Sequence, residues 1–213
     1  MNSISISPLW RRIGRSVAAL HRDRSGIAAT EFAVIVPIML VMFFGTVELS
    51  SGVAVDRKVT LMARTLSDLT SQSTSVADSD MTNFFAAAGA IMTPYAVAPT
   101  QPIISEIYID AAGKAWIQWS KAATVALVNG SPVATLVAST HNPGDQIMTV
   151  PSALAIPQSY LIWSQVSYLY VPTIGYVMSK TGVSLSDTAY TRPRQSQCVN
   201  YGTSPPTTCT PIT

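Results

Sequence analysis

Sixteen consecutive uncharged residues, 32–47, constrain this chain more than any other feature. Thr46 supplies the only side-chain hydrogen-bond donor among them. Residues 27–29 extend the apolar character past one carboxylate, Glu31. A helix needs roughly 20 apolar residues to cross a hydrocarbon core, so the segment reaches that length when Glu31 lies at one edge. Pro37 kinks such a helix without forbidding it, because neighbouring groups in a bilayer take up the carbonyl it frees. Arg11, Arg12, Arg15, Arg22 and Arg24 precede the span against Asp23, which gives residues 1–26 a charge of +4 and leaves −2 for the rest. The positive-inside bias then puts the leader in the cytoplasm and everything after the span outside. Five arginines without interleaved aromatics make a poor nucleic-acid arm, so no nucleic-acid partner is expected. Only 11% of the 213 residues are charged and the mean hydropathy is +0.31, against about 25% charge in a typical soluble domain.

Three readings of the span compete. A cleaved secretory signal has an apolar core of about 7–15 residues, shorter than this one, and no A-x-A site follows here. A plain signal anchor accounts for the length but leaves Glu31 as an acid that snorkels to the interface. A third reading gives Glu31 a partner, since an unpaired charge in hydrocarbon costs at least about 2.5 kcal/mol. Here the residues point to a family. "GIAATEF", from Gly26 to Phe32, resembles the prepilin-peptidase site of type IV pilins, in which Gly ends the leader and Glu is fifth in the mature chain. More narrowly, the basic leader, Gly26, Ile27, Glu31-Phe32, an apolar span with early Pro37, and then Glu48-Leu49 resemble the TadE-like pseudopilins of the Tad (Flp) pilus system. A weaker echo is "AYTRPR", residues 189–194. The resemblance implies cleavage between Gly26 and Ile27 by a prepilin peptidase. It implies that Glu31 pairs with the new α-amine of a docked neighbour, and that Pro37 and Glu48 belong to the subunit-assembly region. The implied partners are other pseudopilins, the major pilin, an inner-membrane assembly platform and membrane lipid.

Beyond the span the helix is expected to continue. Val55, Val59, Met62, Leu66 and Leu69 are spaced 4, 3, 4, 3, a heptad seam that serves either the chain's own sheet or a partner helix. "SQSTSVADSD", residues 71–80, is a polar break whose Ser and Asp residues suit the start of a second helix over 80–92, with Phe84, Phe85, Ala88 and Ile91 inward. Pro94, Pro99 and Pro102 follow. Strand patterns then occupy 103–110, 114–120, 159–171 and 182–192, the first two joined by a short loop at 111–113. Asn129-Gly130 signals a hairpin between "ATVALV" and "PVATLV", although the Ala and Leu content there also permits helix. The expected domains are a leader at 1–26, a transmembrane helix at 27–50, its extracytoplasmic continuation at 51–73 and a head at 74–213. The expected fold class is α+β and pilin-like, with a long N-terminal helix, a short second helix and an antiparallel sheet of about four strands, the helices on one sheet face.

Cys198 and Cys209 bracket a 12-residue loop on the side that leader charge makes extracytoplasmic. An even pair in an oxidising compartment reads as a disulfide contributing about 2–3 kcal/mol. Free thiols or a metal pair are the alternatives, and no further metal ligand stands near. Thr191 to Arg194, "TRPR", places two guanidinium groups together, either for an anionic partner or for the head's own acids. His21 and His141 are the only histidines, and no G-x-S-x-G, H-E-x-x-H, C-x-x-C or phosphate loop occurs. No enzyme activity, cofactor or metal is therefore expected. The reading is a structural minor pilin for assembly, priming or the tip of a Tad pilus. It would be single-pass in a bacterial inner membrane, with its N-terminus cytoplasmic and its head periplasmic or at a pilus tip. The alternatives are a membrane-anchored binding module or adhesin and, with less support, an envelope hydrolase acting through His141.

Overall fold

The computed structural model describes residues 19, 25–147, 150–172, 181–202 and 208–213. The five leader arginines and His21 lie outside the described residues. The chain divides into two compact units, 1–47 and 48–213.

Helix α1 runs Ser25–Ser71 with Pro37 inside it. Thr30 and Thr46 turn their hydroxyls back to the carbonyls of Ile27 and Met42, both at 2.8 Å, so neither donor is left unmet on an apolar surface. In the second unit α1 is amphipathic. Val55, Val59, Met62 and Leu66 are buried, joined by Ala63, while Leu69 is half-buried. This settles the seam's use within the head: it packs with Ile104, Ile162 and Val166 of the sheet.

Strand β1 is Ser75–Val76, helix α2 is Asp78–Gly89, and a 3₁₀ turn covers Ala90–Met92. The second helix thus begins two residues before the expected start and tightens over its last turn. Asp80 explains the early start, because its Oδ2 accepts the Ala77 N–H at 2.9 Å and holds the first turn from within. Phe85 and Ala88 are buried as their spacing suggests, with Met81 and Met92 beside them. Phe84 and Ile91 are only half-buried. Lys58 of α1 donates to the carbonyls of Ile91 at 2.7 Å and Thr93 at 2.8 Å, closing the end of this segment.

The remaining strands are β2 Thr100–Ile109, β3 Ala115–Val128, β4 Ser131–Val137, β5 Gln146–Ile147, β6 Ser159–Tyr170, β7 Val183–Thr191 and β8 Asn200–Tyr201. The main sheet has six strands in the order β4-β3-β2-β6-β7, with β5 pairing β3, and all its pairings are antiparallel. The expectation of about four strands is therefore corrected. The two patterns at 114–120 and 123–128 are one strand, β3, and Asn129 and Gly130 both take positive φ, 51° and 80°. That is the backbone of a tight hairpin, so "PVATLV" is strand and not helix. The two-residue β5 is too short for any periodic signal. A separate parallel pair, β1 with β8, joins the polar break to the tail near the C-terminus.

Helices cover one face of the sheet, and a second apolar layer covers the other. Ile162 belongs to the helix-side core, whereas its neighbours Leu161 and Trp163 pack with Ile107, Ile109 and Ile117 under Val150, Leu154 and Ala155. Alternation along a strand makes these opposite faces. A register shift between Glu106 and Ile107 leaves Gln118 as the extra residue of β3. It lets Trp119 face the helices while Ile117 faces away. Gly89 is needed where α2 meets β3, since a Cβ there would lie 2.8 Å from a methyl of Val125.

Glu106 is an acid inside this core, only 3% exposed. Its Oε1 accepts the Val199 N–H at 2.5 Å, and its Oε2 accepts the Trp119 indole N–H at 3.1 Å. The same indole N–H reaches the Val199 carbonyl at 2.7 Å. Burial pushes the carboxyl up to about 8, against the smaller opposing pull of the two N–H donors.

Two outcomes follow for stability. Gly89→Val destabilises the chain by about 1–3 kcal/mol through overpacking against a stiff β-branched neighbour, measured by thermal melting in detergent. A carboxyl raised from 4.5 in the unfolded chain to about 8 when folded stabilises fully below the lower value. Stability is then lost as pH climbs toward the upper one, by at most about 1.4 kcal/mol per pH unit. Melting of the wild type is therefore expected to fall from acid to mildly alkaline pH, and Glu106→Gln is expected to flatten that slope; an unchanged slope in the variant contradicts the assignment.

Candidate assembly site

The residues singled out before and within the span all lie on α1. Gly26 and Ile27 occupy its first turn, with nothing within 4 Å of the position of a Gly26 Cβ. Ile27 is exposed, and Glu31 and Phe32 stand one turn further on, also exposed. Counting from Ile27, a helical rise of about 1.5 Å per residue puts Glu31 roughly 6 Å along the axis. Among the described residues, no hydrogen bond or ion pair holds the Glu31 carboxylate. Pro37 has no N–H to offer the carbonyl of Ala33, four residues earlier, and α1 nevertheless continues through it.

The span presents apolar side chains all round. Phe32 is 70% exposed, Met42 69% and Val34 65%, and no residue from 26 to 47 is buried. Residues 27–47 extend about 31 Å at helical rise, close to the roughly 30 Å of a bilayer's hydrocarbon core. Such a surface is that of a candidate membrane span, long and apolar enough to cross. Phe43 and Phe44 meet edge to face, with centroids 5.4 Å apart.

Glu48 is placed differently from Glu31. It opens the second unit, is 4% exposed, and its Oε2 accepts the Tyr170 hydroxyl at 2.9 Å. Desolvation, and then the bond to Glu48, push the Tyr170 phenol up to about 12. Tyr170 ends β6, so this bond ties the entry of α1 into the head to a strand more than a hundred residues later. Sequence reading missed Tyr170. Its only signal was a polar aromatic at the end of an otherwise apolar strand.

Cys198 and Cys209 form a disulfide. Near it in sequence, Ile212 donates its backbone N–H to the Gln118 side-chain oxygen at 2.7 Å and its carbonyl accepts from the Gln118 amide nitrogen at 2.9 Å. Arg194 of the "TRPR" segment is an internal link. It pairs with Asp68 of α1 and donates its backbone N–H to the Ser71 carbonyl at 2.8 Å. His141 bonds Gln165 at 2.8 Å and lies against the Trp163 ring, with centroids 5.0 Å apart.

No curated protein and no solved structure matches the chain. The family model of TadE-like proteins matches residues 26–66, which takes in the span, Glu48 and the buried seam. The match begins at Gly26 and covers the part of α1 on which Glu31 and Pro37 stand. Over residues 26–66 the chain is therefore similar to TadE-like proteins.

Proposed function

We propose that this chain is a structural minor pilin, a pseudopilin, of a Tad-type pilus machine, and that it is not an enzyme. The TadE-like match supports association with a Tad pilus. The observation that carries the finer reading is Glu31, an acid on the exposed apolar surface of α1, five residues into a chain that would begin at Ile27.

The mechanism follows from electrostatics. A prepilin peptidase cuts between Gly26 and Ile27, removing the arginine-rich leader. The cut creates an α-amine with a reference pKa of about 7.7–8.0, protonated in large part at neutral pH. A subunit whose Glu31 carboxylate meets that amine on a neighbour gains about 4 kcal/mol at 4 Å and an effective dielectric of about 20. Neither charge is satisfied by hydrocarbon, so the pair sets the axial stagger between adjacent spans. Phe32, Ile35, Met39 and Met42 supply the apolar contact around it. Before assembly the chain sits single-pass in the inner membrane, with the head periplasmic. Its partners are the peptidase, other pseudopilins, the major pilin, the assembly platform and lipid.

N-terminal sequencing of the chain recovered from cells with an active prepilin peptidase is expected to start at Ile27; a retained arginine-rich leader favours a plain anchored module instead. Glu31→Ala is expected to leave membrane insertion unchanged and to reduce assembled filaments at least tenfold, as a loss of about 1.4 kcal/mol or more at each contact would do. Normal piliation with that variant removes the pairing role.

A further inference from the structure

The head holds a half-enclosed cavity of about 320 Å³ that the pilus role does not use. Glu106, Trp119, Tyr160 and Tyr201 line it, with Gln118 and Ile212 beside them. Four strands far apart in sequence, β2, β3, β6 and β8, thus converge three aromatic rings on one acid. The size falls at the lower end of the roughly 300–1,000 Å³ typical of ligand sites.

The acid has unused capacity. A carboxylate offers about four lone-pair positions, and the Val199 and Trp119 N–H groups take two. Among the described residues, ion pairs join Lys121 to Asp78 and Arg194 to Asp68, and neither involves Glu106. Among the described residues, the titratable groups around it are the Tyr160 and Tyr201 phenols, with the Lys121–Asp78 pair in contact with Tyr201. One ring of the aromatic wall already attracts a cation: Lys121 Nζ lies 4.4 Å from the Tyr201 ring centroid.

We propose that this cavity binds a primary ammonium group on a slim apolar stem, as carried by a lysine side chain of another polypeptide or by a small free alkylamine. The three N–H donors of the ammonium bond the spare Glu106 lone pairs and the Tyr160 hydroxyl, and the stem lies against the Trp119 and Tyr160 rings. Glu106 is neutral in the free protein at neutral pH because burial raises it to about 8. Binding therefore releases its proton to solvent as the ion pair forms. Affinity then rises by about tenfold per pH unit until the acid is ionised in the free protein.

The test uses the full chain in detergent micelles, with tryptophan indole NMR signals as the readout. The probes are n-butylammonium, the neutral n-butanol, and an N-acetylated lysine-containing peptide. Butylammonium is expected to shift the Trp119 indole signal saturably where butanol does not, and to bind about tenfold tighter at about pH 7.5 than at about pH 6.5. Glu106→Gln, with its disulfide and circular dichroism intact, is expected to bind at least tenfold more weakly and to lose the pH dependence. A peptide that displaces butylammonium identifies a polypeptide lysine as the ligand, and a peptide that does not identifies a free amine. No saturable shift with either ammonium probe, an equal response to butanol, or a pH-independent affinity in the wild type overturns the proposal. The last comparison needs no variant and so stands even if Glu106→Gln does not fold.

Discussion

Burial of one seam on α1 against the sheet is the interaction on which the head depends. Val55, Val59, Met62 and Leu66 are fully buried there, and each such side chain contributes about 1.5–3 kcal/mol relative to exposure. Polar contacts fix where the seam lands. The Ser164 hydroxyl donates to the Ala63 carbonyl at 2.6 Å, and the Ser67 and Thr191 hydroxyls meet at 2.7 Å. Hydrogen bonds from sheet hydroxyls into a helix backbone are directional in a way that apolar contact is not. They select one register of α1 on β6 and β7 from several of similar apolar area. The Glu48–Tyr170 bond and the Arg194–Asp68 pair sit at the two ends of the same contact.

The apolar character of α1 changes its meaning along the helix. From 27 to 47 it lies on every side, and nothing among the described residues covers it. From 55 to 66 it narrows to a stripe, and Asp56, Arg57 and Arg64 occupy the exposed side. That change was legible in the residues, because a 4, 3, 4, 3 spacing flanked by charges is a strong periodic signal. The strands at 103–110, 159–171 and 182–192 were legible for a similar reason, and so was the Asn129-Gly130 hairpin. Less legible was the second apolar layer. A sheet covered on both faces does not alternate, and β2 buries Ile104, Ser105, Glu106 and Ile107 in succession. The bulge at Gln118 hid the face assignment of β3, since one extra residue inverts every later side chain. The β1–β8 pair carried no signal at all, being two residues long. At the candidate site, the motif from Gly26 to Phe32 was visible as a pattern, whereas the convergence of Glu106 with Trp119, Tyr160 and Tyr201 depends on strand order and was not.

Three acids in this chain illustrate how an apolar setting decides what a carboxyl needs. Glu48 meets a phenol that stays protonated far above neutral pH, so the bond is available under all ordinary conditions. Glu106 meets two N–H donors and, among the described residues, no cation, and its environment answers by favouring the neutral form. Glu31 has neither solution among the described residues. It lies on an apolar helix surface with exposed Phe32 beside it. Neutralisation by protonation would remove its cost in a bilayer at the expense of any specificity, since a neutral acid does not discriminate between axial positions of a neighbour. A cation supplied from outside the chain removes the same cost and also defines a distance. Under the proposed reading that cation is the α-amine exposed by proteolysis. The arginines before Gly26 belong to the same chain as Glu31, so a charge pairing with them would not report the position of a neighbour. On that proposed reading, cleavage would turn an acid with no hydrogen-bond or ion-pair partner among the described residues into one half of an intermolecular pair, so that assembly competence and processing would be the same event.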